Sequence, residues 1–393
     1  MITKIVDFEK KCTGCGACFN TCSNNAISMI YNKEGFSYPK IDANKCLKCN
    51  KCDGVCPIVQ KGESENYLQQ VYACQIKDKN MLLTATAGGF FPLLAKKIID
   101  GGGFVYGCLW SNELKAVHKG SDNVDIIKKI NGSKYVQSDM IDIFKEIYLN
   151  LKKGKTVLFS GTPCQVDAVK KYCKDIDLAK LITVDVICYG VPSPKLFSAY
   201  IEKLNKRHNA KVIDFKFRDK KTYGWSHTTV ITLQRSDGFI FEIEEPDHNK
   251  IDYYKMFGTR NCFRESCYNC QYNVLERVSD FTTGNYWDIE KKSSSFKFEL
   301  GVSMVLINTN KAKEIFNDIK SEMIVEERTI EDAILSNDAL VKGSVYPKQR
   351  KDVYRHFEKK GFDSVYKKYY QENAMSKIKS KIKKIIKTII RRK

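Results

Sequence analysis

The chain has 393 residues, of which 43% are apolar and 28% are charged, a balance typical of a globular protein with two or three domains. It has no run of 18 apolar residues, and its first residues, MITKIVDFEKKC, lack an apolar signal core, so we expect neither a membrane-spanning helix nor a signal peptide. The net charge of +20 is compatible with nucleic acid, anionic lipid or an anionic cofactor, and 16 cysteines in such a chain favour metal or redox chemistry over disulfides.

Two cysteine runs near the N-terminus share the spacing C-x2-C-x2-C-x3-C, which is typical of bacterial ferredoxins with two 4Fe–4S clusters. Three closely spaced thiols surround one cubane, and the fourth reaches the other cluster because it lies beyond the tight loop. The spacing predicts one cluster on Cys12, Cys15, Cys18 and Cys56 and a second on Cys46, Cys49, Cys52 and Cys22. Zinc binding and free surface thiols are the alternatives, but zinc sites commonly use two separated pairs of ligands.

Beyond a polar linker at 59–70, strands and helices alternate, which predicts an α/β core with a mainly parallel sheet. The expected strands are 71–78, 103–110, 155–161 and 181–190, and the expected helices are 88–100, 139–152 and 166–173. Residues 211–245 have the alternation of an antiparallel meander, and residues 311–374 are expected to be mostly helical.

Two glycine-rich turns, at 85–91 and 161–165, offer backbone N–H groups to an anion. The sequence has neither a G-x-G-x-x-G stretch after a strand nor a Walker loop. We therefore do not expect the sheet to bind a nucleotide in the usual Rossmann manner.

A third group of cysteines, Cys262, Cys267 and Cys270, lies in the stretch NCFRESCYNCQY. Cys164 and Cys188 each follow a buried strand, so both are expected at the carboxyl edge of one sheet, where α/β proteins build their sites. Four such thiols could converge on a third cubane. The alternative is that Cys164 and Cys188 are small packing residues of the core.

The chain resembles the coenzyme F-420 hydrogenase/dehydrogenase beta-subunit family in five ordered stretches: GGFFPLLAKKIIDGGGFVYGCLW, NGSKYVQSD, FSGTPCQVDAV, VICYGVPSPKLF and RESCYNCQYNVLERVSDFTTGNYWDIE. The resemblance covers roughly residues 70–300 and implies an α/β FAD-binding domain with a mixed sheet behind an α+β ferredoxin-like dicluster domain; a helical C-terminal region is expected from the residue pattern. The expected boundaries are 1–60 for the dicluster domain, 71–150 and 151–310 for the two parts of the family domain, 311–374 for the helical region and 375–393 for a basic tail.

The same resemblance implies a third 4Fe–4S cluster on Cys164, Cys188, Cys267 and Cys270, with Cys262 in reserve. It implies FAD contacts at Gly88, Gly89, Lys134, Tyr135, Gln137, Ser138, Gly161, Thr162, Asp280, Thr283 and Gly284. Lys134 is expected to stabilise negative charge on the reduced flavin or on a phosphate. Tyr135 is expected either to stack on the ring or to pack in the core.

The resemblance implies a cytoplasmic iron–sulfur flavoprotein oxidoreductase. Single electrons would pass between the clusters and a ferredoxin or another redox partner protein, and the flavin would exchange a hydride with an organic substrate or a deazaflavin-like coenzyme. The sequence identifies no catalytic residue and no substrate.

Three stretches depart from the family pattern. Tyr189 stands where members often have His, Asn285 where they usually have Asp, and Thr86–Ala87 where they have Ser-Ser. The first two changes remove proton-handling or flavin-contacting groups. They favour the alternative of a non-catalytic electron-transfer subunit, or a membrane-associated scaffold, that retains the clusters.

The C-terminal residues 376–393, SKIKSKIKKIIKTIIRRK, carry nine basic residues and no acidic ones. Isoleucines recur on one face at helical spacing, which is typical of a helix lying on an anionic membrane surface. A helix packed on its own domain and a frayed tail are the alternatives. Nucleic acid is disfavoured because isoleucines rather than aromatic residues separate the charges.

Overall fold

The N-terminal cysteine-rich segment combines short helices with one hairpin. Its elements are α1 (Phe8–Lys11), α2 (Ala17–Thr21), β1 (Ile27–Tyr31), β2 (Ser37–Ile41) and α3 (Lys51–Gly54). The two strands pair antiparallel, with Ile27 opposite Ile41. The computed structural model describes residues 8–59 and 69–371, so most of the expected linker and the whole basic tail lie outside the described residues.

The remaining strands form two sheets. They are β3 (Gln70–Ile76), β4 (Phe104–Trp110), β5 (Ala116–Ser121), β6 (Val157–Gly161), β7 (Leu181–Val186), β8 (Lys211–Lys216), β9 (Thr229–Gln234), β10 (Ile240–Glu245), β11 (Phe281–Asn285), β12 (Ser303–Ile307) and β13 (Met323–Arg328). The large sheet has the order β13-β3-β12-β11-β7-β6-β4-β5, and the small one the order β10-β9-β8. In the large sheet β4, β6, β7 and β11 are parallel neighbours, whereas β5, β12 and β13 pair antiparallel with their neighbours.

Helices connect and cover the strands. They are α4 (Lys79–Thr84), α5 (Phe90–Asp100), α6 (Ile126–Ile130), α7 (Phe144–Lys152), α8 (Pro163–Tyr172), α9 (Pro194–His208), α10 (Asp252–Gly258), α11 (Asn310–Ile319), α12 (Ile330–Ser336) and α13 (Arg350–Tyr369). Two of them, α8 and α9, follow central strands and have proline in the first turn, where its missing N–H costs nothing. Ser193 caps α9 by accepting a hydrogen bond from the Leu196 N–H at 3.3 Å.

The central strands position the two isolated cysteines. β7 is buried along its first five residues, as expected for a parallel strand covered on both faces. Cys188 follows its carboxyl end, and Cys164 lies in the first turn of α8, just after β6. Both thiols therefore lie at the same edge of the large sheet.

The small sheet packs on an aromatic core shared with α9, α10 and α13. Phe197 of α9 lies edge-on to Phe215 of β8 and to Tyr253 of α10, with ring centroids 5.5 Å and 5.2 Å apart. Phe362 of α13 packs against Tyr200 at 5.4 Å. These apolar contacts join the meander and the C-terminal helix to the large sheet.

The observed elements agree with most of the expected ones, including the antiparallel meander at 211–245. The expectation of a mainly parallel sheet is wrong, because the large sheet is mixed and four of its seven strand pairings are antiparallel. The expectation that 311–374 is mostly helical misses β13, which pairs with β3 as an edge strand of the large sheet. Most residues of β13 are only half-buried, so its sequence lacks a clear strand alternation. Without the partner strand in view, this stretch is as compatible with a helical turn as with a strand. The helix expected at 139–152 begins only at Phe144.

His118 of β5 is a buried imidazole without a counter-charge. Its Nε2 donates to the Ser160 carbonyl at 3.0 Å, and in the described part of the chain its Nδ1 has no partner. Burial lowers its pKa to about 4 from the ordinary 6.5. Between pH 4 and pH 6.5, this imidazole is therefore protonated in the unfolded chain and neutral in the folded chain.

We expect this difference to reduce stability as pH falls from 6.5 towards 4, by at most about 3 kcal/mol, with full stability above 6.5. The His118→Gln variant keeps an N–H donor but does not titrate, so its stability should vary less with pH across this window. Anaerobic urea unfolding at several pH values measures the difference. Identical pH slopes in the two proteins would contradict the assignment.

Among the helices formed by residues 8–59 and 69–371, we find none that is both long enough and apolar enough to span a bilayer.

Candidate functional site

Two cavities in the N-terminal segment are each lined by four cysteines. The first cavity is lined by Cys12, Cys15, Cys18 and Cys56, and the second by Cys22, Cys46, Cys49 and Cys52. The last cysteine of each run therefore faces the cavity of the other run, because α2 and α3 pack together. This grouping is the same as the one predicted for two cubanes from the spacing.

The loop around the first cavity needs glycine. Gly14 and Gly16 have φ angles of +69° and +82°, which L side chains disfavour. A Cβ on Gly14 would lie 2.6 Å from Nη1 of Arg264, so a larger residue would also displace that arginine. The Gly14 N–H donates to the Cys12 sulfur at 3.4 Å, so the backbone of the loop turns around this thiol.

Burial opposes ionisation of these thiols. It raises the pKa of Cys15 to about 12 and moves the pKa of Cys18 well above its ordinary value, and the charges of neighbouring cysteines act in the same direction. Because iron and zinc bind the deprotonated sulfur, a cationic metal centre would have to offset this cost. The donor set is suited to a metal group of that kind.

A third cavity lies at the carboxyl edge of the large sheet. Its thiols are Cys164, Cys188, Cys267 and Cys270. The last two come from the short 3-10 turn Glu265–Asn269 and the residue after it. Burial raises all four pKa values, that of Cys267 to about 11. The topology thus gathers four thiols from three distant parts of the chain.

Cys262, which the resemblance implied as a reserve ligand, lies elsewhere. It is fully buried, and its thiol donates to the Met256 carbonyl at 3.5 Å. It packs within the aromatic core beside α10 and does not line the third cavity. The four remaining cysteines are therefore the candidate ligand set.

Within the two described ranges, no group of three His, Cys, Asp or Glu side chains is close enough to hold a single metal ion. One zinc ion would hold each sulfur at about 2.3 Å, whereas a cubane spreads its four thiolates over several iron atoms. Four cysteines around a cavity are the donor set of such a cluster.

Two buried arginines line the third cavity. Arg264 donates to the Cys12 carbonyl at 2.7 Å, to the Ser37 carbonyl at 2.9 Å and to Oε1 of Gln137 at 3.1 Å. Arg277 forms an ion pair with the fully buried Asp185 at 2.9 Å. Arg264 therefore connects the third cavity directly to the loop of the first.

The first and third cavities also share a wall, because Thr13 lines both. The second cavity adjoins the first, since Cys22 and Cys52 pack against Cys18 and Cys56, and it shares no lining residue with the third. Its Cys49 is exposed. The three groups of thiols therefore form a series that runs from the exposed second cavity, through the first, to the third at the edge of the large sheet.

Of the predicted flavin residues, three have side-chain polar groups that are fully engaged by other described residues. The Lys134 ammonium donates to the carbonyls of Lys129, Asn131 and Gly132 at 2.9 to 3.2 Å, and burial lowers its pKa to about 8. Gln137 contacts the Thr13 carbonyl at 2.9 Å. Lys134 is thus neither a solvated surface lysine nor a free cation.

Asp280 is the third, and it lies at the opposite end of β11 from Gly284. Its carboxylate accepts hydrogen bonds from Thr183 and Thr309 and pairs with Lys311 at 3.2 Å. The expectation that Asp280 and Gly284 line one cavity therefore conflicts with the direction of the strand. The Asp280 network instead joins β7 and β11 to α11.

The other predicted flavin residues lie in or near the carboxyl edge. Gly88 and Gly89 form the turn before α5, and Gly161, Thr162, Thr283 and Gly284 lie at the ends of β6 and β11. Ser138 accepts a hydrogen bond from Gln165 at 2.9 Å, and Thr162 Oγ1 lies 3.2 Å from the Cys164 sulfur. Tyr135 packs edge-on against Phe217 and Tyr254, in agreement with the core alternative.

The arginines around the third cavity were not predicted from the sequence. Both lie within the stretch that begins RESCYNCQ, one three residues before Cys267 and the other seven residues after Cys270. Their position beside a predicted anionic cluster could have identified them in the sequence. A positive charge near cysteine thiols favours the thiolate form that binds the cluster. The β8–β9 connection was not predicted either, since its aromatic residues form no motif.

Comparison with known proteins gives matches in both halves of the chain. A family described as the C terminus of the coenzyme F420 hydrogenase/dehydrogenase beta subunit matches residues 154–333, and one described as 4Fe-4S dicluster domain matches residues 11–59. The uncharacterized ferredoxin MJ0722 of Methanocaldococcus jannaschii is 32% identical over 57 residues, 14% of this chain and 73% of that protein. A chain from the F420-reducing NiFe hydrogenase complex of Methanosarcina barkeri is 20% identical with a TM-score of 0.43, over 77% of this chain and 91% of that one.

The N-terminal match and the paired cysteine-lined cavities define the class: an iron–sulfur protein with a 4Fe-4S dicluster domain. Residues 154–333 match the C terminus of the coenzyme F420 hydrogenase/dehydrogenase beta-subunit family, which is a family of oxidoreductases. The predicted resemblance to this family is confirmed.

Proposed function

We propose that the chain is an iron–sulfur flavoprotein that relays single electrons through three 4Fe–4S clusters to or from FAD. The observation that carries the proposal is the series of three cavities, each lined by four cysteines. The ligand sets are Cys22, Cys46, Cys49 and Cys52, then Cys12, Cys15, Cys18 and Cys56, then Cys164, Cys188, Cys267 and Cys270.

The residues around the cavities suit this role. Arg264 places a positive charge beside the third thiol set, which offsets the negative charge of a thiolate-bound cluster, whereas the Arg277 charge there is balanced by Asp185. The hydrogen bonds from Arg264 to Cys12 and Gln137 fix the distance between the first and third cavities. Fixed spacing of neighbouring centres is what an electron relay requires.

FAD would lie at the carboxyl edge of the large sheet, where it would interconvert single-electron and hydride chemistry. Two turns at this edge, Gly88–Gly89 at the α5 N-terminus and Gly161–Thr162, offer backbone N–H groups that support FAD binding. The candidate contacts beside them are Ser138, Thr283 and Gly284. In the described chain, the buried Oδ1 of Asn285 has no hydrogen-bond partner and is one further candidate contact. We do not carry Lys134, Gln137 and Asp280 forward as direct contacts, because their polar groups are engaged.

A non-catalytic electron-transfer subunit is the second candidate, and one observation favours it. Tyr189, which replaces the His of other members, lines the third cavity, and its ring lies 5.6 Å from the Arg260 guanidinium. A phenol there would not handle protons near neutral pH, because burial raises the pKa of Tyr189. This candidate keeps the clusters and lacks hydride exchange.

The proposed partners are a ferredoxin or other redox protein at the exposed second cavity, and further subunits of a complex. We propose a cytoplasmic location. Contact of residues 376–393 with an anionic membrane surface remains part of the proposal and rests on the sequence pattern alone.

The proposal is tested by anaerobic electron transfer from reduced nicotinamides or a reduced deazaflavin to an oxidised ferredoxin. We expect transfer by the wild type and at least about a tenfold slower transfer by Cys49→Ala, because that change removes one ligand of the exposed cluster. Cys74→Ala is the matched control, since Cys74 is buried in β3 away from all three cavities. Reduction of the clusters by small chemical reductants, with no transfer from any organic donor, would favour the second candidate.

A further inference from the structure

An aromatic and cationic cluster lies where the β8–β9 connection meets the end of β11. We define this cluster as Arg218, Trp225, His227, His248 and Trp287. The Arg218 guanidinium carbon lies 5.4 Å from the ring centre of Trp225 and 5.0 Å from that of Trp287. The His227 ring is stacked on Trp287, with centroids 5.6 Å and planes 5° apart. Trp225 also packs against Trp287, with centroids 4.7 Å apart, and the rings are partly exposed.

Arg218 is a buried cation without a counter-charge. Its side chain is 8% exposed, and its Nε donates to the Ser226 carbonyl at 3.1 Å. Across residues 8–59 and 69–371, Nη2 has no hydrogen-bond partner and no acidic side chain pairs with the guanidinium, since the adjacent Asp219 faces Lys216 at 3.9 Å. A buried positive charge of this kind is unfavourable until an anion occupies the free donor.

The other members of the cluster add no negative charge. Burial, followed by the Arg218 charge, lowers the pKa of His227 to about 4, so this ring is neutral near pH 7. His248 lies 4.8 Å from His227 between ring centroids. The cluster therefore combines the Arg218 cation with the neutral rings of Trp225, His227 and Trp287, which suits a planar ring that carries an anionic group.

The cluster is held next to the predicted flavin turn. Trp225 Nε1 donates to the Thr86 carbonyl at 3.1 Å. The buried Lys220 ammonium donates to the carbonyls of Leu82, Ala87 and Leu300 at 2.6 to 2.9 Å. These bonds pin the β8–β9 connection across the turn that precedes α5, so the free Arg218 nitrogen lies at the same edge of the sheet as Gly88 and Gly284.

We propose that this cluster is a binding site for a planar heterocycle bearing a phosphate, with the ring at the exposed side of the two indoles and the phosphate at Arg218. The chemistry fits two sources, a nucleotide substrate and the FAD cofactor itself. The site deepens the proposed function. Only the identity of its ligand depends on that function. Neither the family motifs nor the cysteine pattern assigns these residues.

The test uses the anaerobic full-length protein with Trp110→Phe, which leaves Trp225 and Trp287 as the remaining two of three tryptophans. NADPH and FMN are the probes, and quenching of tryptophan fluorescence is the readout. We expect Arg218→Gln to weaken binding of the probes by at least about tenfold in Kd, since it removes a charge-assisted hydrogen bond. Arg218→Lys should retain part of the affinity.

Arg235→Gln is the matched control. Arg235 also lies over two rings, 5.4 Å from both Phe239 and Phe241, but it is exposed and distant from the turn. It should leave both probe affinities within about twofold of the parent. Iron content is measured on every variant to verify folding, and Arg218→Lys supplies the comparison if the Gln variant loses iron.

The outcomes separate the two sources. Loss of probe binding with FAD and iron retained assigns the site to a substrate, and loss of FAD with iron retained assigns it to the cofactor. Unchanged FAD content and unchanged probe affinity in Arg218→Gln would overturn the proposal. A wild type that lacks FAD, yet shows Arg218-dependent quenching, would remove the flavin function and leave this site in place.

Discussion

Replacing Cys188 by alanine is expected to lower the iron content from about twelve to about eight atoms per chain, because it removes one of four thiolates around the third cluster. Cys188 lines the third cavity together with Cys164, Cys267 and Cys270. The clusters of the other two cavities have separate ligand sets, so their eight irons should remain. Iron and acid-labile sulfide, measured on anaerobically purified protein, give the result.

Cys262→Ala is the control for this prediction. Cys262 is as buried as a ligand would be and lies five residues before Cys267, but its thiol faces the Met256 carbonyl. We expect the Cys262→Ala protein to keep about twelve irons. If Cys262→Ala lost four irons while Cys188→Ala lost none, the third ligand set would be wrong.

Replacing Arg350 by methionine should lower the free energy of unfolding by about 3–5 kcal/mol, since it breaks a buried ion network. Arg350 is 1% exposed and pairs with Glu34 at 2.6 Å and Glu265 at 2.9 Å. Its guanidinium also donates to the Phe263 carbonyl at 2.8 Å. The change would leave two carboxylates without their shared cation.

The network is important because it joins three parts of the molecule. Glu34 lies in the β1–β2 turn of the dicluster segment, Glu265 in the turn that carries Cys267, and Arg350 begins α13. We therefore expect Arg350→Met to release the dicluster segment before the large sheet unfolds. Anaerobic urea unfolding, followed by far-UV circular dichroism and by cluster absorbance, would show two separated transitions.

Arg355→Met is the matched control on the same helix. Arg355 pairs with Asp352 at 3.3 Å, but the two side chains are 66% and 59% exposed. Such a surface pair contributes at most about 1 kcal/mol. Equal losses of stability in the two variants would contradict a special role for the Arg350 network.

Local sequence patterns were sufficient for much of the fold. The buried runs of β6 and β7, each followed by a turn, predicted where Cys164 and Cys188 would lie, because parallel strands place their carboxyl ends at one edge. The ferredoxin spacing predicted which thiols would share a cavity. In both cases residues close in sequence determined the geometry.

Contacts between distant segments could not be predicted in the same way. Arg264 contacts Cys12, which lies 252 residues earlier, and no local pattern in either segment marks the other as its partner. β13 becomes a strand only through pairing with β3, which lies far away in the chain. The carboxylate of Asp280 looked available in sequence because its partners in β7 and α11 are not neighbours in the chain.

The proposed electron relay is tested most directly by the content of iron, sulfide and FAD in the wild-type protein purified without oxygen. Three cubanes and one flavin predict about twelve irons, about twelve sulfides and about one FAD per chain. Eight irons with no flavin would contradict the relay, because the thiols at the edge of the large sheet would then be packing residues beside an electron carrier of two clusters.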